Sequence, residues 1–181
     1  MALDPNSRAR FNLSQTVVLL LDGTPLGMTI LGQIIAGLGA RQIHRCRTVD
    51  EAKEVVGEFR LDLMIVDSIA EGGDGYEFVR WLRREVSEPN KHTPVLLTAG
   101  HTKTSDVDKA RDCGAHFIVA KPIAPIVMLE RIIWIAREGR SFLFSDEYVG
   151  PDRRFGKDAS PHDHPRRRRE DQTGPGEAEA S

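Results

Sequence analysis

The chain has 181 residues, 40% of them hydrophobic, and a formal net charge of -2. This length fits one domain with extensions, and the near-neutral charge gives no general bias toward nucleic acid. No apolar run approaches the roughly 18 residues of a membrane helix, and the N-terminus lacks a signal core, so we expect a cytoplasmic protein without a membrane partner. Cys46 and Cys113 are isolated in the sequence, which predicts two buried thiols rather than a disulfide or a metal pair.

Short apolar strands alternate with helices in the first part of the chain. The run at 16–21 predicts a buried strand, and Pro25 is typical of the first turn of a helix. That helix carries apolar residues at helical spacing, namely Leu26, Ile30, Ile34 and Leu38. The polar run at 41–47 predicts a strand at a sheet edge, and Thr48 followed by Glu51 is a capping-box pattern that begins a second helix.

The remaining elements continue the same alternation. In chain order we predict a strand at 63–66, a helix at 75–85, a strand at 94–98, a polar helix at 104–113, a strand at 116–120 and a helix at 124–138. Five strands alternating with five helices predict an α/β fold with a five-stranded, doubly wound parallel sheet. Right-handed crossovers then place helices on both faces of the sheet.

Polar side chains stand where four of the predicted strands end. Asp22 closes the first apolar run and Asp67 the third, while Thr98 closes the fourth and Lys121 the fifth. In an open parallel sheet the carboxyl ends of the strands share one edge, and ligands bind there. The sequence therefore predicts one site that combines two carboxylates, a hydroxyl and an amine.

These strand ends, together with an acid–glycine step at 74–75, resemble the receiver domain of two-component response regulators, particularly its chemotaxis-regulator-like form. The resemblance covers residues 14–138 and implies a flavodoxin-like receiver fold. It also implies that Asp67 is the phosphoacceptor and that Thr98 and Lys121 contact the phosphoryl group.

The resemblance further implies a Mg²⁺ site formed by Asp22, Asp67 and the backbone carbonyl of Ile69. Gly23 stands where the family has a second acid, usually the direct ligand, so we expect weak Mg²⁺ binding. Glu71 stands where the family usually has proline. Its side chain either adds negative charge near the pocket or faces water.

Other residues leave the role of the site open. Ile118 replaces a ring that the family often has at this position, and strand alternation places Phe117 on the other face. The plainer interpretation of Lys121 is a permanent salt bridge to Asp67, and that of Thr98 is a hydroxyl that satisfies nearby backbone. Two hypotheses follow: Asp67 is phosphorylated inefficiently, or the chain is a non-phosphorylated pseudo-receiver adaptor.

The first hypothesis describes an atypical single-domain response regulator of bacterial two-component signalling. It accepts a phosphoryl group on Asp67 and acts through protein–protein contacts. The implied partners are a sensor histidine kinase or phosphotransfer protein and an unknown output protein. We expect no enzymatic activity beyond self-phosphorylation and dephosphorylation, and the roughly 40 residues after the last helix are too few and too polar for a DNA-binding domain.

The chain changes character in the extension at 139–181. Aromatic residues at 142–148 indicate packing, whereas the composition beyond 150 predicts a largely disordered tail, and residues 1–13 predict a flexible N-terminus. Arginine forks match phosphates and guanine edges, and the tail has six: Arg153, Arg154, Arg166, Arg167, Arg168 and Arg169. The clusters are similar to arginine-rich extensions on some bacterial chemotaxis-type receivers that bind cyclic di-GMP. The alternative hypothesis that this resemblance implies is a cyclic di-GMP-binding effector, beside a solvated tail and a tail that contacts a partner protein or nucleic acid.

Overall fold

The computed structural model describes residues 12–100, 104–137, 142–145 and 148–151. The tail arginines and most of the predicted flexible N-terminus lie outside these ranges. In chain order the elements are β1 Val17–Leu21, α1 Pro25–Gly37, β2 Gln42–Cys46, α2 Val49–Glu58, β3 Leu63–Asp67, β4 Ile69–Ala70, β5 Gly73–Asp74, α3 Gly75–Arg84, a 3-10 turn Asn90–His92, β6 Val95–Ala99, α4 Thr104–Cys113, β7 Phe117–Ala120, α5 Pro125–Arg137, β8 Phe142–Phe144 and β9 Val149–Pro151.

Five strands form one parallel sheet in the order β2-β1-β3-β6-β7. Every residue of β3 and β6 is buried, because helices cover both faces of the sheet and no face of these strands meets water. β2 lies at the edge, as its polar sequence predicted. The doubly wound parallel fold is confirmed.

Each face of the sheet packs against its own set of helices. Leu19 and Leu21 of β1 lie in a core with residues of α2, α3 and α4. Val18 and Leu20 point the other way, into a core with residues of α1 and α5. None of the helices within the described ranges is long and apolar enough to cross a membrane.

The buried face of α1 differs from the predicted one. Leu31 and Ile35 are fully buried, whereas Leu26 is 71% exposed and Ile30 is 39% exposed. The helix has no acidic residue in its first turn and no basic residue in its last, and apolar residues lie on all its sides. Apolar spacing therefore could not identify the side that packs on the sheet.

Local capping begins α2 as the sequence predicted. The amide of Glu51 donates to Oγ1 of Thr48 at 3.1 Å. The Glu51 carboxylate accepts the amide of Arg47 at 2.7 Å, one residue before the amide that a capping box uses.

The extension forms an antiparallel hairpin of β8 and β9 that packs near the amino ends of β6 and β7. The ring of Phe142 lies 4.7 Å from the ring of His92, centroid to centroid, and the guanidinium of Arg83 lies 5.1 Å from the Phe142 ring. Arg83 is almost fully buried and donates to three backbone carbonyls, those of Gly114, Lys91 and Thr93. Burial lowers its pKa to about 10, so it stays cationic at neutral pH.

Candidate functional site

The fold brings three of the four predicted strand-end side chains into direct contact. The ammonium nitrogen Nζ of Lys121 lies 2.9 Å from Oδ2 of Asp22 and 2.7 Å from Oδ2 of Asp67. One cation therefore bridges two carboxylates at the carboxyl edge of the sheet. Sequence reasoning anticipated the bridge to Asp67 but not the equal bridge to Asp22.

Asp22 is fully buried, with both of its oxygens occupied. Oδ1 accepts the amide of Thr24 at 2.8 Å and the Thr24 hydroxyl at 2.7 Å, while Oδ2 accepts Lys121. A Cβ at Gly27 would overlap the Asp22 carboxylate, so only glycine lets the first turn of α1 come this close. Sequence reasoning missed Thr24 and Gly27, although a threonine before Pro25 is a recognisable helix cap.

Asp67 is 5% exposed at the end of β3. Burial raises the pKa of its carboxyl, the Asp22 charge adds to the rise, and the bond from Lys121 opposes it. Burial alone would lower the pKa of Lys121, but its bonds to the two carboxylates outweigh burial and raise it. A Cβ at Gly75 would overlap the Asp67 carbonyl, which gives the acid–glycine step its steric reason.

Thr98 lies beside Asp67, its register partner in the neighbouring strand. Its side chain is completely buried, and its hydroxyl has no hydrogen-bond partner among the described residues. The interpretation that this hydroxyl satisfies nearby backbone is therefore wrong. An unpaired buried hydroxyl costs free energy, and a hydrogen bond to a group bound next to Asp67 would remove that cost.

The loop after Asp67 lies against the position where the second acid is missing. β4 and β5 form a small hairpin whose turn residue Glu71 pairs with Thr48, and the Glu71 carbonyl accepts the amide of Val49 at 3.2 Å. A Cβ at Gly23 would lie 2.7 Å from the Glu71 amide nitrogen. The missing side chain thus makes room for this loop.

The exposed end of Glu71 points to Arg47, whose Nη2 lies 3.3 Å from its carboxylate. Ile69 is 78% exposed, and its amide lies 3.5 Å from Oδ1 of Asp67. Of the two alternatives for Glu71, the surface position agrees with this geometry, because its side chain is 57% exposed.

Mg²⁺ prefers hard oxygen donors, and the Asp22 and Asp67 carboxylates are of that kind. Two acids at one sheet edge fit the cation in chemistry, although within the described ranges no three Asp, Glu, His or Cys side chains already converge on one point. The six tail arginines lie outside those ranges. Ile118 and Phe117 pack on opposite faces of the sheet, as predicted.

The sheet order and the carboxylate–lysine cluster define a receiver-type, doubly wound α/β domain. The sequence model of the response regulator receiver domain matches residues 18–133. The chain belongs to this family, and it is a receiver domain of two-component signalling.

Two curated relatives and one solved structure illustrate the similarity. A probable cyclic di-GMP phosphodiesterase of Vibrio cholerae is 23% identical over 67% of this chain, but the chain spans only 26% of that protein. The polar-differentiation response regulator DivK of Brucella anthropi is 26% identical, over 64% of this chain and 91% of that protein. The receiver domain of a sensor histidine kinase from Pseudomonas aeruginosa PAO1, solved with a magnesium ion in its active site cleft, is 20% identical with a TM-score of 0.59, over 67% of this chain and 98% of that domain.

Proposed function

We propose that the protein accepts a phosphoryl group on Asp67 and transmits the signal through protein–protein contacts. One observation carries the proposal: a nearly buried carboxylate lies 2.7 Å from a lysine and beside a buried hydroxyl that has no hydrogen-bond partner in the described part of the chain. A purely structural salt bridge would need the lysine but not the unsatisfied hydroxyl. We propose 14–138 as the extent of the receiver domain, and the cytoplasm as its location.

Each residue has a defined part in the transfer. An Asp67 oxygen forms a bond to phosphorus while the bond from phosphorus to the donor breaks. Lys121 then pairs with the new phosphoryl oxygens as a point cation while it retains its hydrogen bond to Asp22. Thr98 donates its hydroxyl to the same group.

A divalent cation would be held by Asp22, Asp67 and the backbone carbonyl of Ile69. When bound, Mg²⁺ neutralises charge on the phosphoryl group during transfer. Gly23 contributes no carboxylate, so we propose that binding is weaker than with two adjacent acids.

Exposed apolar side chains near the site support docking of a sensor histidine kinase or a phosphotransfer protein. Leu26 lies in the first turn of α1, Ile126 lies in the first turn of α5, and Ile69 follows Asp67 closely. All three are among the most exposed large hydrophobic residues of the described ranges. Exposed apolar groups gathered at one edge are typical of interaction surfaces. We propose that the donor protein covers this edge when it delivers the phosphoryl group.

The test is intact mass spectrometry after incubation with a small-molecule phosphodonor and Mg²⁺. The parent chain is expected to gain the mass of one phosphoryl group, and Asp67→Asn to gain none. Asp50→Asn, which removes an exposed acid from α2, is the matched control and should behave like the parent. A parent chain that gains no mass would favour the pseudo-receiver adaptor.

A second candidate function is cyclic di-GMP binding by the tail, and it rests on the sequence alone. Its six arginines form two clusters, at 153–154 and 166–169. Guanidinium groups match both the phosphates and the guanine edges of this ligand. In calorimetry, Arg153→Ala with Arg154→Ala should weaken binding, and Asp67→Ala should not. The absence of heat with the parent chain would remove this candidate.

A further inference from the structure

The side chain of Glu71 starts next to the position from which the missing acid would extend. A Cβ at Gly23 would lie 3.2 Å from the Cβ of Glu71, as well as 2.7 Å from its amide nitrogen. Glutamate is one methylene longer than aspartate, a difference that compensates for part of this offset. The side chain at position 71 therefore begins beside the place that an aspartate at position 23 would occupy, and it has one more methylene with which to extend toward the same region.

The backbone of Glu71 is held in this place by α2. Residue 71 forms a parallel bridge with Thr48, and its carbonyl accepts the amide of Val49. Only the side chain is free to change direction. Its present partner is Arg47, and both side chains are more than half exposed. An exposed ion pair contributes little stability, so exchanging it for another partner costs little.

An independent observation indicates that this edge of the sheet receives a ligand. The Thr98 hydroxyl is buried and has no hydrogen-bond partner within the ranges that the structure describes. Thr98 pairs in register with Asp67, so their side chains project from the same face. The feature lies on a different strand from Glu71 and does not depend on the acidic residues.

Charge balance favours a third carboxylate. Asp22 and Asp67 carry two negative charges, of which Lys121 neutralises one. A divalent cation would then leave the site with one excess positive charge, and a carboxylate from Glu71 would bring the total to zero.

We propose that Glu71 supplies the carboxylate that Gly23 lacks, turning from Arg47 to a divalent cation held between Asp22 and Asp67. This inference rests on the proposed function, because it assigns a ligand to the same cation. It also gives a structural reason for Gly23. The carboxylate would come from the loop after β3 instead of the end of β1, and glycine leaves room for that loop.

The test uses Mn²⁺ binding to the full chain, measured by electron paramagnetic resonance of the free ion. Mn²⁺ accepts the same oxygen donors as Mg²⁺ and gives a direct signal. Glu71→Gln keeps the size of the side chain and is expected to weaken binding about tenfold, because it removes a charged hard-oxygen ligand. Glu54→Gln removes an exposed carboxylate from α2 and should leave the affinity unchanged. Arg47→Gln removes the side chain that competes with the cation for Glu71, and it should not weaken Mn²⁺ binding.

The possible outcomes distinguish a failure of this inference from a failure of the proposed phosphoacceptor function. If the parent chain binds Mn²⁺ and Glu71→Gln binds it equally well, the inference is wrong while the phosphoacceptor role stands. If the parent chain binds no Mn²⁺, the inference is wrong as well, and mass spectrometry decides separately whether Asp67 is phosphorylated. Selective weakening in Glu71→Gln, with an unchanged melting temperature, would support the inference.

Discussion

At the scale of single residues, Lys121 contributes both to the stability of the fold and to the proposed phosphoryl transfer. Its ammonium group contacts two buried carboxylates, and burial raises the pKa of one of them, Asp67. The same group is the charge that a phosphoryl group on Asp67 would need. We therefore expect its removal to change the titration of Asp67 and the stability of the fold together.

Lys121→Ala should raise the pKa of Asp67 further, because burial and the Asp22 charge remain while the opposing cation is gone. An Asp whose folded-state pKa is raised destabilises the fold when ionised, and this cost disappears as the pH falls through that pKa. We expect the unfolding free energy to fall by about 1–3 kcal/mol at neutral pH. This difference between the variant and the parent chain should become smaller as the pH falls. Carboxyl NMR titration and denaturation at several pH values measure both effects; an unchanged Asp67 titration would contradict the assigned contact.

The two cysteines should be inert in the folded protein. Burial raises the pKa of Cys46 to about 11, with a further contribution from the charge of Glu51, and burial also raises the pKa of Cys113 to about 11. Both are free and buried, as the sequence predicted. Since the thiolate is the reactive form, iodoacetamide at neutral pH should label neither residue until denaturant unfolds the chain. Rapid labelling of the native protein would show that one of the thiols is accessible.

At the scale of secondary-structure elements, much of the fold was predictable because its signals are local. β1 is a continuous apolar run, β3 is apolar up to Asp67, and Thr48 caps α2 through an amide three residues away. The buried face of α1 was not predictable, because its apolar residues surround the helix. The partners of Arg83 were also beyond prediction, since they come from residues 8 to 31 positions away along the chain.

The hairpin of β8 and β9 depends on a close contact between two glycines. A Cβ at Gly150 would lie 2.5 Å from the hydroxyl oxygen of Tyr148 and 2.7 Å from the Cα of Gly114, which itself has a φ of +93°. Gly150→Ala should therefore lower the unfolding free energy by about 1–3 kcal/mol, since backbone must move to admit the methyl group. Chemical denaturation of the full chain measures this loss.

Gly57→Ala provides the matched control for that substitution. Gly57 lies in α2 with nothing within 4 Å of its added Cβ. Alanine there should stabilise the chain by roughly 0.5–1 kcal/mol, because it restricts the unfolded backbone and favours helix. Equal effects of the two substitutions would mean that the hairpin does not pack against Gly114.

At the scale of the whole molecule, the two edges of the sheet have different roles, one chemical and one structural. Its carboxyl edge gathers the charged site, and this was predictable because parallel strands end together. Its amino edge is closed by Arg83, the hairpin and buried Asn90, whose side chain bonds to the backbone of Leu61, Val56 and Phe59. That closure needed tertiary contacts, so the sequence predicted only that aromatic residues of the extension would pack. The loop of Glu71 over Gly23 was likewise visible only in three dimensions.

The central claim is that Asp67 is the phosphoacceptor. The most direct measurement treats the phosphodonor-incubated chain with borohydride, which reduces an acyl phosphate to an alcohol, and then locates the altered residue by peptide mass spectrometry. Our account predicts a single altered residue, Asp67, and a markedly lower yield in Thr98→Ala, because the hydroxyl that would stabilise the phosphoryl group is absent. Modification at another acid, or none at Asp67, would contradict it.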